Sequence, residues 1–198
     1  RTIHSSIMRI ISGTHKGRRL IAPSTLPVRP TTDRAKEALF NILESRYFFD
    51  GKNALDLFSG TGSIAYEFAS RGCEKILAID NNFNCNNYIK KTSDELGFHI
   101  STIKSNCLQY LKNCKQQFNF IFADPPYDYE KYQELKNLVF EKNLVKKDGV
   151  LILEHNKDTS FEAFYDLQRI YNSLDYKYVI PKRVLISNQE ENKKVKKK

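Results

Sequence analysis

Lys52-Asn53-Ala54-Leu55-Asp56-Leu57-Phe58-Ser59-Gly60-Thr61-Gly62-Ser63-Ile64-Ala65 reads as a short buried strand, a glycine-bearing turn and the start of a helix. Gly60 and Gly62 let a ligand approach the backbone, and the helix behind them presents free N–H groups. The turn departs from a dinucleotide-binding fingerprint in two ways: Ala65 stands where the third glycine would be, and Asp56 stands just ahead of the turn. A carboxylate there repels a pyrophosphate but can hold the ammonium end of an amino acid, directly or through water. The turn therefore suits S-adenosylmethionine better than NAD.

Outward from this unit the chain alternates apolar runs with helical patterns. Lys75–Asp80 is a second strand ending in an acid 24 residues after Asp56, where α/β nucleotide folds place a carboxylate for the ribose hydroxyls. Asp80 also suits the cap of a helix over Asn82–Leu96, and the two roles are compatible. Ile100–Lys104 is a third strand leading to Ser105-Asn106-Cys107, where Asn106 fits either an adenine edge or the cap of the next helix. Phe118–Ala123 is a fourth, Gly149–Glu154 a fifth, and a helix is expected between them from Glu130 to about Lys142. Leu167–Tyr171 and Tyr176–Ser187 look like a closing antiparallel pair. The expected fold class is α/β: a seven-stranded, mostly parallel sheet with one antiparallel strand and helices on both faces. Gly60, Asp80, Asn106 and Asp124 then share the rim at the carboxyl ends of the strands, where such sheets bind ligands.

The fourth strand stops at Asp124-Pro125-Pro126-Tyr127. The prolines have fixed φ and no N–H, so the turn is stiff and offers acceptors without competing donors. A carboxylate and stiff carbonyls suit the task of holding an amine by both hydrogens, and Tyr127 offers a face on which a base can stack. A proline-stiffened turn whose Asp caps the next helix is the plainer alternative.

At 198 residues, with 40% hydrophobic residues and 12% aromatics, the chain suits one soluble domain in the cytoplasm, and no apolar run approaches a membrane span or a secretory core. Cys73, Cys85, Cys107 and Cys114 form no C-x-x-C pair and the histidines are scattered, so no metal site is expected and the thiols read as reduced. The net charge of +9 is confined to the ends: +6 over residues 1–30, +3 over 189–198, and none over 31–188. Basic appendages on a neutral body suit a polyanion-binding enzyme.

Residues 1–7 read as a leader outside the fold, 8–30 as a basic hairpin extension, 31–188 as the catalytic domain and 189–198 as a disordered basic tail. In the hairpin, Met8–Ser12 and Arg18–Ala22 flank a turn of glycines and polar residues. Arg9, Lys16, Arg18 and Arg19 are candidates for phosphate contact, with protection of a sheet edge by charge as the alternative. After the stiff Pro27–Pro30 linker, Thr31, Thr32 and Asp33 start a helix with Ala35, Ala38, Leu39, Ile42 and Leu43 on its buried face. Arg29, Thr31, Thr32 and Arg34 thus cluster at the helix start, as caps or as a patch beside a site.

These segments together resemble the class I S-adenosylmethionine-dependent methyltransferases of Rossmann-like fold. Within them the chain is similar to the bacterial family that methylates the exocyclic N2 of a guanine in 16S rRNA of the small ribosomal subunit. The segments that carry the resemblance are Met8–Gly13, Lys16–Leu20, Arg29–Arg34 with Glu37 and Phe40-Asn41, Asp56–Gly62, and Asp124–Tyr127. It implies that Asp56, Phe58, Ser59, Gly60, Gly62 and Asp124 line the methionine end of S-adenosylmethionine. Asp80 and Asn81 would serve the ribose, and Asn106 and Cys107 the adenine. Asp124, Pro125 and Tyr127 would be catalytic; Thr31 and Thr32 would close over the cofactor, and Arg29, Arg34 and Tyr127 would face RNA with the hairpin cations. The partner it implies is an assembled small subunit or its assembly intermediate, met by a monomer. The same turn serves adenine-N6 methylation of DNA and glutamine methylation of proteins, and a non-catalytic ribosome-assembly factor of this fold is a third alternative.

Overall fold

The computed structural model describes residues 6–27, 31–126, 128–155, 170–173 and 176–179. A two-stranded ribbon, β1 (Ser6–Arg9) and β2 (Arg19–Ala22), precedes helix α1 (Asp33–Glu44). Four strand–helix units and a fifth strand follow: β3 (Asn53–Leu57), α2 (Ser63–Ser70), β4 (Lys75–Asp80), α3 (Phe83–Leu96), β5 (Ile100–Lys104), α4 (Cys107–Asn113), β6 (Phe118–Ala123), α5 (Tyr132–Glu141) and β7 (Val145–His155). Strands β8 (Ile170–Ser173) and β9 (Tyr176–Val179) close the sheet. Residues 1–5 of the expected leader, Arg29, Tyr127 and the basic tail lie outside the described residues, whereas Ser6 and Ile7, expected to stand outside the fold, begin β1 and pair with Ala22 and Ile21.

The main sheet has the order β5-β4-β3-β6-β7-β9-β8. The first five strands pair in parallel, whereas β9 pairs antiparallel with both β7 and β8. The seven-stranded, mostly parallel α/β sheet is therefore as expected, with β9 alone running against the others; because β9 lies between β7 and β8, parallel pairing is confined to five strands. Two residues separate β8 from β9, too few for the crossover that parallel pairing needs.

Side chains alternate strictly between two apolar layers. Ala54, Ile76, Ala78, Phe120, Phe122, Val150 and Ile152 pack under α1, α2 and α3. Leu55, Leu57, Ile79, Ile121, Ala123, Leu151 and Leu153 pack under α4 and α5. Burial on both faces explains why these strands read as continuous apolar runs.

Helix α1 begins where expected, with Thr32 Oγ1 accepting from Ala35 N–H at 3.3 Å. Its buried face is largely the expected one: Leu39 and Leu43 are buried and Ala35 and Ile42 pack half-buried on the core, but Lys36 and Phe40 join them and Ala38 is exposed. Lys36 is drawn inward by Glu67 and by the Arg9 carbonyl, partners that no hydrophobic pattern along the helix shows.

The hairpin is part of the core rather than a detached arm: Met8, Ile10, Leu20 and Ala22 join the same apolar layer as α1 and α2. Its tip rests on the end of α2, where Thr14 N–H donates to the Ser70 carbonyl at 2.7 Å and His15 N–H to Ser70 Oγ at 3.0 Å. Gly13, at φ +82°, makes that approach possible, since a Cβ there would lie 1.8 Å from the Ser70 carbonyl oxygen. Gly13→Ala is expected to lower the thermal midpoint by several degrees, roughly the shift from a loss of about 1–3 kcal/mol in a chain of this size, measured by calorimetry.

Candidate active site

The rim at the carboxyl ends of β3, β4 and β6 collects three carboxylates. Register pairs Leu57 of β3 with Ile79 of β4 and Ala123 of β6, so Asp80 and Asp124 flank Phe58 one residue further on. Asp56 lies within β3 itself and is 1% exposed. Ala65 N–H supports its carboxylate, yet Oδ2 is buried with no hydrogen-bond partner. Burial first, and the Asp124 and Asp80 carboxylates next, hold the Asp56 carboxyl well above the ordinary range. Burial also pushes Asp124 up to about 6.

The turn between β3 and α2 is built around Asp80. One oxygen of its carboxylate accepts from Gly60 N–H at 2.8 Å, the other from Asn82 N–H at 2.7 Å. Each oxygen keeps a lone pair for a further donor. The expected helix-cap role falls instead to Asn82, whose Oδ1 accepts from Asn84 and Cys85 N–H. Ser59 fixes the other side of the turn: its hydroxyl lies 3.0 Å from the Asp56 carbonyl and 2.9 Å from that of Ile79. Gly62 sits at φ +79° as the residue before α2, and a Cβ there would meet Ile89 Cγ1 at 2.8 Å and the Tyr66 ring at 2.9 Å. The cradle thus leaves no room for a side chain at Gly62.

Phe58 adopts φ +61°, unusual for a bulky residue, and presents its ring edge-on to Tyr129 at 5.3 Å. Tyr129 N–H in turn donates to the Pro126 carbonyl at 2.9 Å, which ties the Asp-Pro-Pro turn to the cofactor turn. Sequence reading passes over Tyr129, whose only signal is an aromatic close behind the turn.

The remaining expected residues divide by location. Asn106 Oδ1 caps α4 through Leu108 and Gln109 N–H, at 3.0 and 3.3 Å, so the capping reading holds for this oxygen. Cys107 is buried in the first turn of α4, and burial pushes its thiol up to about 12. Asn81 is exposed between Asp80 and the cap. Thr31 is half-buried at the start of α1, with Thr32 spent on the cap and Arg34 exposed. Arg9 is engaged by Asp33 at 3.1 Å, while Lys16, Arg18 and Arg19 are exposed on the hairpin. Among the described residues, no helix is long and apolar enough to cross a membrane.

The sequence profile of the family described as conserved hypothetical protein 95 matches residues 8–178. The chain belongs to that family. Among its relatives, YlbH of Bacillus subtilis is 35% identical over 156 residues, spanning 76% of this chain and 84% of that one. Ribosomal RNA small subunit methyltransferase D of Haemophilus influenzae is 31% identical over 156 residues, spanning 76% and 80%. The fold is shared with the 16S rRNA N2 G1207 methyltransferase of Thermus thermophilus, solved with AdoMet and guanosine: TM-score 0.68, 17% identity, 90% of this chain and 50% of that one. The family match begins at Met8, so it takes in the hairpin together with the three-carboxylate rim.

Proposed function

We propose that this enzyme transfers the methyl group of S-adenosylmethionine to the exocyclic N2 of a guanine in 16S rRNA, within a cytoplasmic small ribosomal subunit or its assembly intermediate. The observation that carries the reading is the grouping of Asp56, Asp80 and Asp124 on one rim, with a buried carboxylate oxygen of Asp56 left without a partner. Such a concentration of negative charge calls for a cation, and an amino acid ammonium beside a sulfonium supplies one. The residues fit the cofactor: Asp56 for the ammonium, the Gly60 to Gly62 backbone for close approach, Asp80 for the ribose hydroxyls, and the Asn106–Cys107 turn for the adenine. When bound, S-adenosylmethionine supplies an electrophilic methyl group.

The protein's own task is to make an amine nucleophilic. The N2 lone pair of guanine is delocalised into the ring, so the amine reacts only when its hydrogens are held out of the ring plane. Asp124 and the Pro125 carbonyl accept those two hydrogens. The turn stays rigid because both prolines fix φ and Tyr129 N–H holds the Pro126 carbonyl. Orientation and electrostatics then supply most of the acceleration. The proton that the amine loses passes to the Asp124 carboxylate, a stronger base than an ordinary carboxylate because of its burial. Tyr127 is the proposed platform for the base once it leaves its stack. Arg29, Arg34 and the hairpin cations Arg9, Lys16, Arg18 and Arg19 are the proposed phosphate contacts, in a monomeric enzyme.

The test is transfer of a tritiated methyl group from the cofactor to small subunits of a strain that lacks the modification. Label should appear in 16S rRNA as N2-methylguanine, and not in duplex DNA, free RNA or protein. Label confined to DNA or protein, or none at all, would overturn the reading.

A further inference from the structure

The hairpin that carries the proposed phosphate contacts is fastened by a buried polar clasp that the methyl-transfer chemistry does not use. Glu67, in the middle of apolar α2, is fully buried, and its two carboxylate oxygens accept from Ile11 N–H at 3.0 Å and Ser12 N–H at 3.1 Å. The same carboxylate accepts from Arg71 Nε and Nη2 at 3.0 and 2.9 Å, and Arg71 also pairs with Glu44. Lys36, 1% exposed, lies 3.9 Å from Glu67 and donates from Nζ to the Arg9 carbonyl at 2.5 Å. The Arg9 side chain reaches out to Asp33, which itself lies 4.0 Å from Lys36. At the tip, Ser70 Oγ donates to the Ser12 carbonyl at 2.6 Å.

Hydrogen bonds from this clasp therefore hold the hairpin backbone at residues 9, 11, 12, 14 and 15. Register places Arg9 opposite Arg19, both exposed. Like charges directly opposite disfavour the ribbon, and Asp33 offsets this at Arg9 alone, so the pairing needs a frame to hold it in place. Burying a lysine, a glutamate and an arginine together is likewise a poor route to stability when an apolar cluster would serve. What the ions add over an apolar cluster is direction, because a carboxylate accepting two successive N–H groups fixes both the position and the rotation of the strand.

We propose that Glu67 and Lys36, with Ser70, are positioning residues for RNA binding: they hold the hairpin so that Arg9 and Arg19 meet phosphates at a fixed distance from the Asp124 turn. The proposal rests on the RNA-binding reading of the hairpin given above. Clasp residues act through the backbone and touch neither cofactor nor RNA.

The experiment measures kcat and KM for small subunits, together with the Kd for S-adenosylmethionine, in Glu67→Gln, Ser70→Ala, Arg9→Ala and the double variants with Arg9→Ala. Ser70→Ala removes two hairpin contacts without stranding a charge and serves if Glu67→Gln fails to fold. The expected result is a KM raised by about three- to tenfold, with kcat and cofactor Kd within about twofold of the parent. The effect should be non-additive with Arg9→Ala, because a loosened hairpin no longer presents that arginine. If the clasp variants leave KM unchanged, or add fully to an Arg9→Ala effect, the positioning role is overturned while RNA binding by the hairpin stands. If Arg9→Ala and a variant lacking Lys16, Arg18 and Arg19 all leave KM unchanged, the RNA-binding reading fails and the inference falls with it.

Discussion

Asp124→Ala is expected to cut methyl transfer by at least about 100-fold, the scale seen when a single preorganised electrostatic contact is lost from a reacting centre, while cofactor affinity stays near that of the parent. Asp56, Gly60, Gly62 and Asp80 make the proposed hydrogen bonds to the cofactor and Asp124 lends that end only its charge, so the loss should appear in kcat far more than in cofactor binding. Acidity gives an independent signature. The carboxylate must be ionised to accept the amine hydrogens, and burial places its titration in the free enzyme at about 6. Activity measured as kcat/KM should therefore fall as pH drops through about 6, well above the range of an ordinary carboxylate.

The folding side of the same shift has the opposite sign. The folded protein binds this proton more tightly than the unfolded chain, whose reference is 3.8. The stabilisation is complete below about pH 4 and is lost as pH rises through about 6. At neutral pH the ionised Asp124 costs up to roughly 3 kcal/mol, from about 1.4 kcal/mol per unit over some two units. The alanine variant should accordingly unfold at a higher temperature than the parent at pH 7.5 and lose that advantage near pH 4. An Asp124→Ala enzyme with near-parental turnover would remove the carboxylate from the mechanism.

Strands β4, β5 and β6 have the limits that their sequences announce, because each is a run that is apolar on the buried faces and is followed by a turn residue. The rim is legible for the same reason: in a parallel sheet every strand end falls on one side, so Gly60, Asp80, Asn106 and Asp124 converge without any knowledge of side-chain contacts. Interactions that depend on two distant segments are not legible. Glu67 looks like an exposed position in a short helix until the hairpin N–H groups and Lys36 are seen to surround it. Lys36 likewise defeats the periodic reading of α1, since a lysine counts as polar in any pattern but is buried here through Glu67 and the Arg9 carbonyl. The division of labour between Asp80 and Asn82 also escapes the sequence, because either side chain suits a cap and only geometry shows that Asp80 is already bonded to Gly60.

Asp56→Asn separates binding from stability in the same molecule. In the free protein the Asp56 carboxylate is a liability: buried, facing two other acids, with one oxygen unpartnered. Asparagine keeps the shape and an acceptor while removing the charge, so the variant should melt at a higher temperature than the parent at neutral pH. Cofactor affinity should move the other way, weaker by roughly 10- to 100-fold, the value of one charge-assisted hydrogen bond to an ammonium group. Proton uptake and release test the cause directly. A cation placed beside Asp56 and Asp124 favours the ionised forms of these two carboxyls, so cofactor binding near pH 6 should expel protons, read by calorimetry in buffers of differing ionisation enthalpy. The release should shrink in Asp56→Asn, which no longer has that carboxyl to ionise. Equal proton release in parent and variant, with unchanged affinity, would mean that the ammonium is held elsewhere and that the unpartnered oxygen of Asp56 faces no cation.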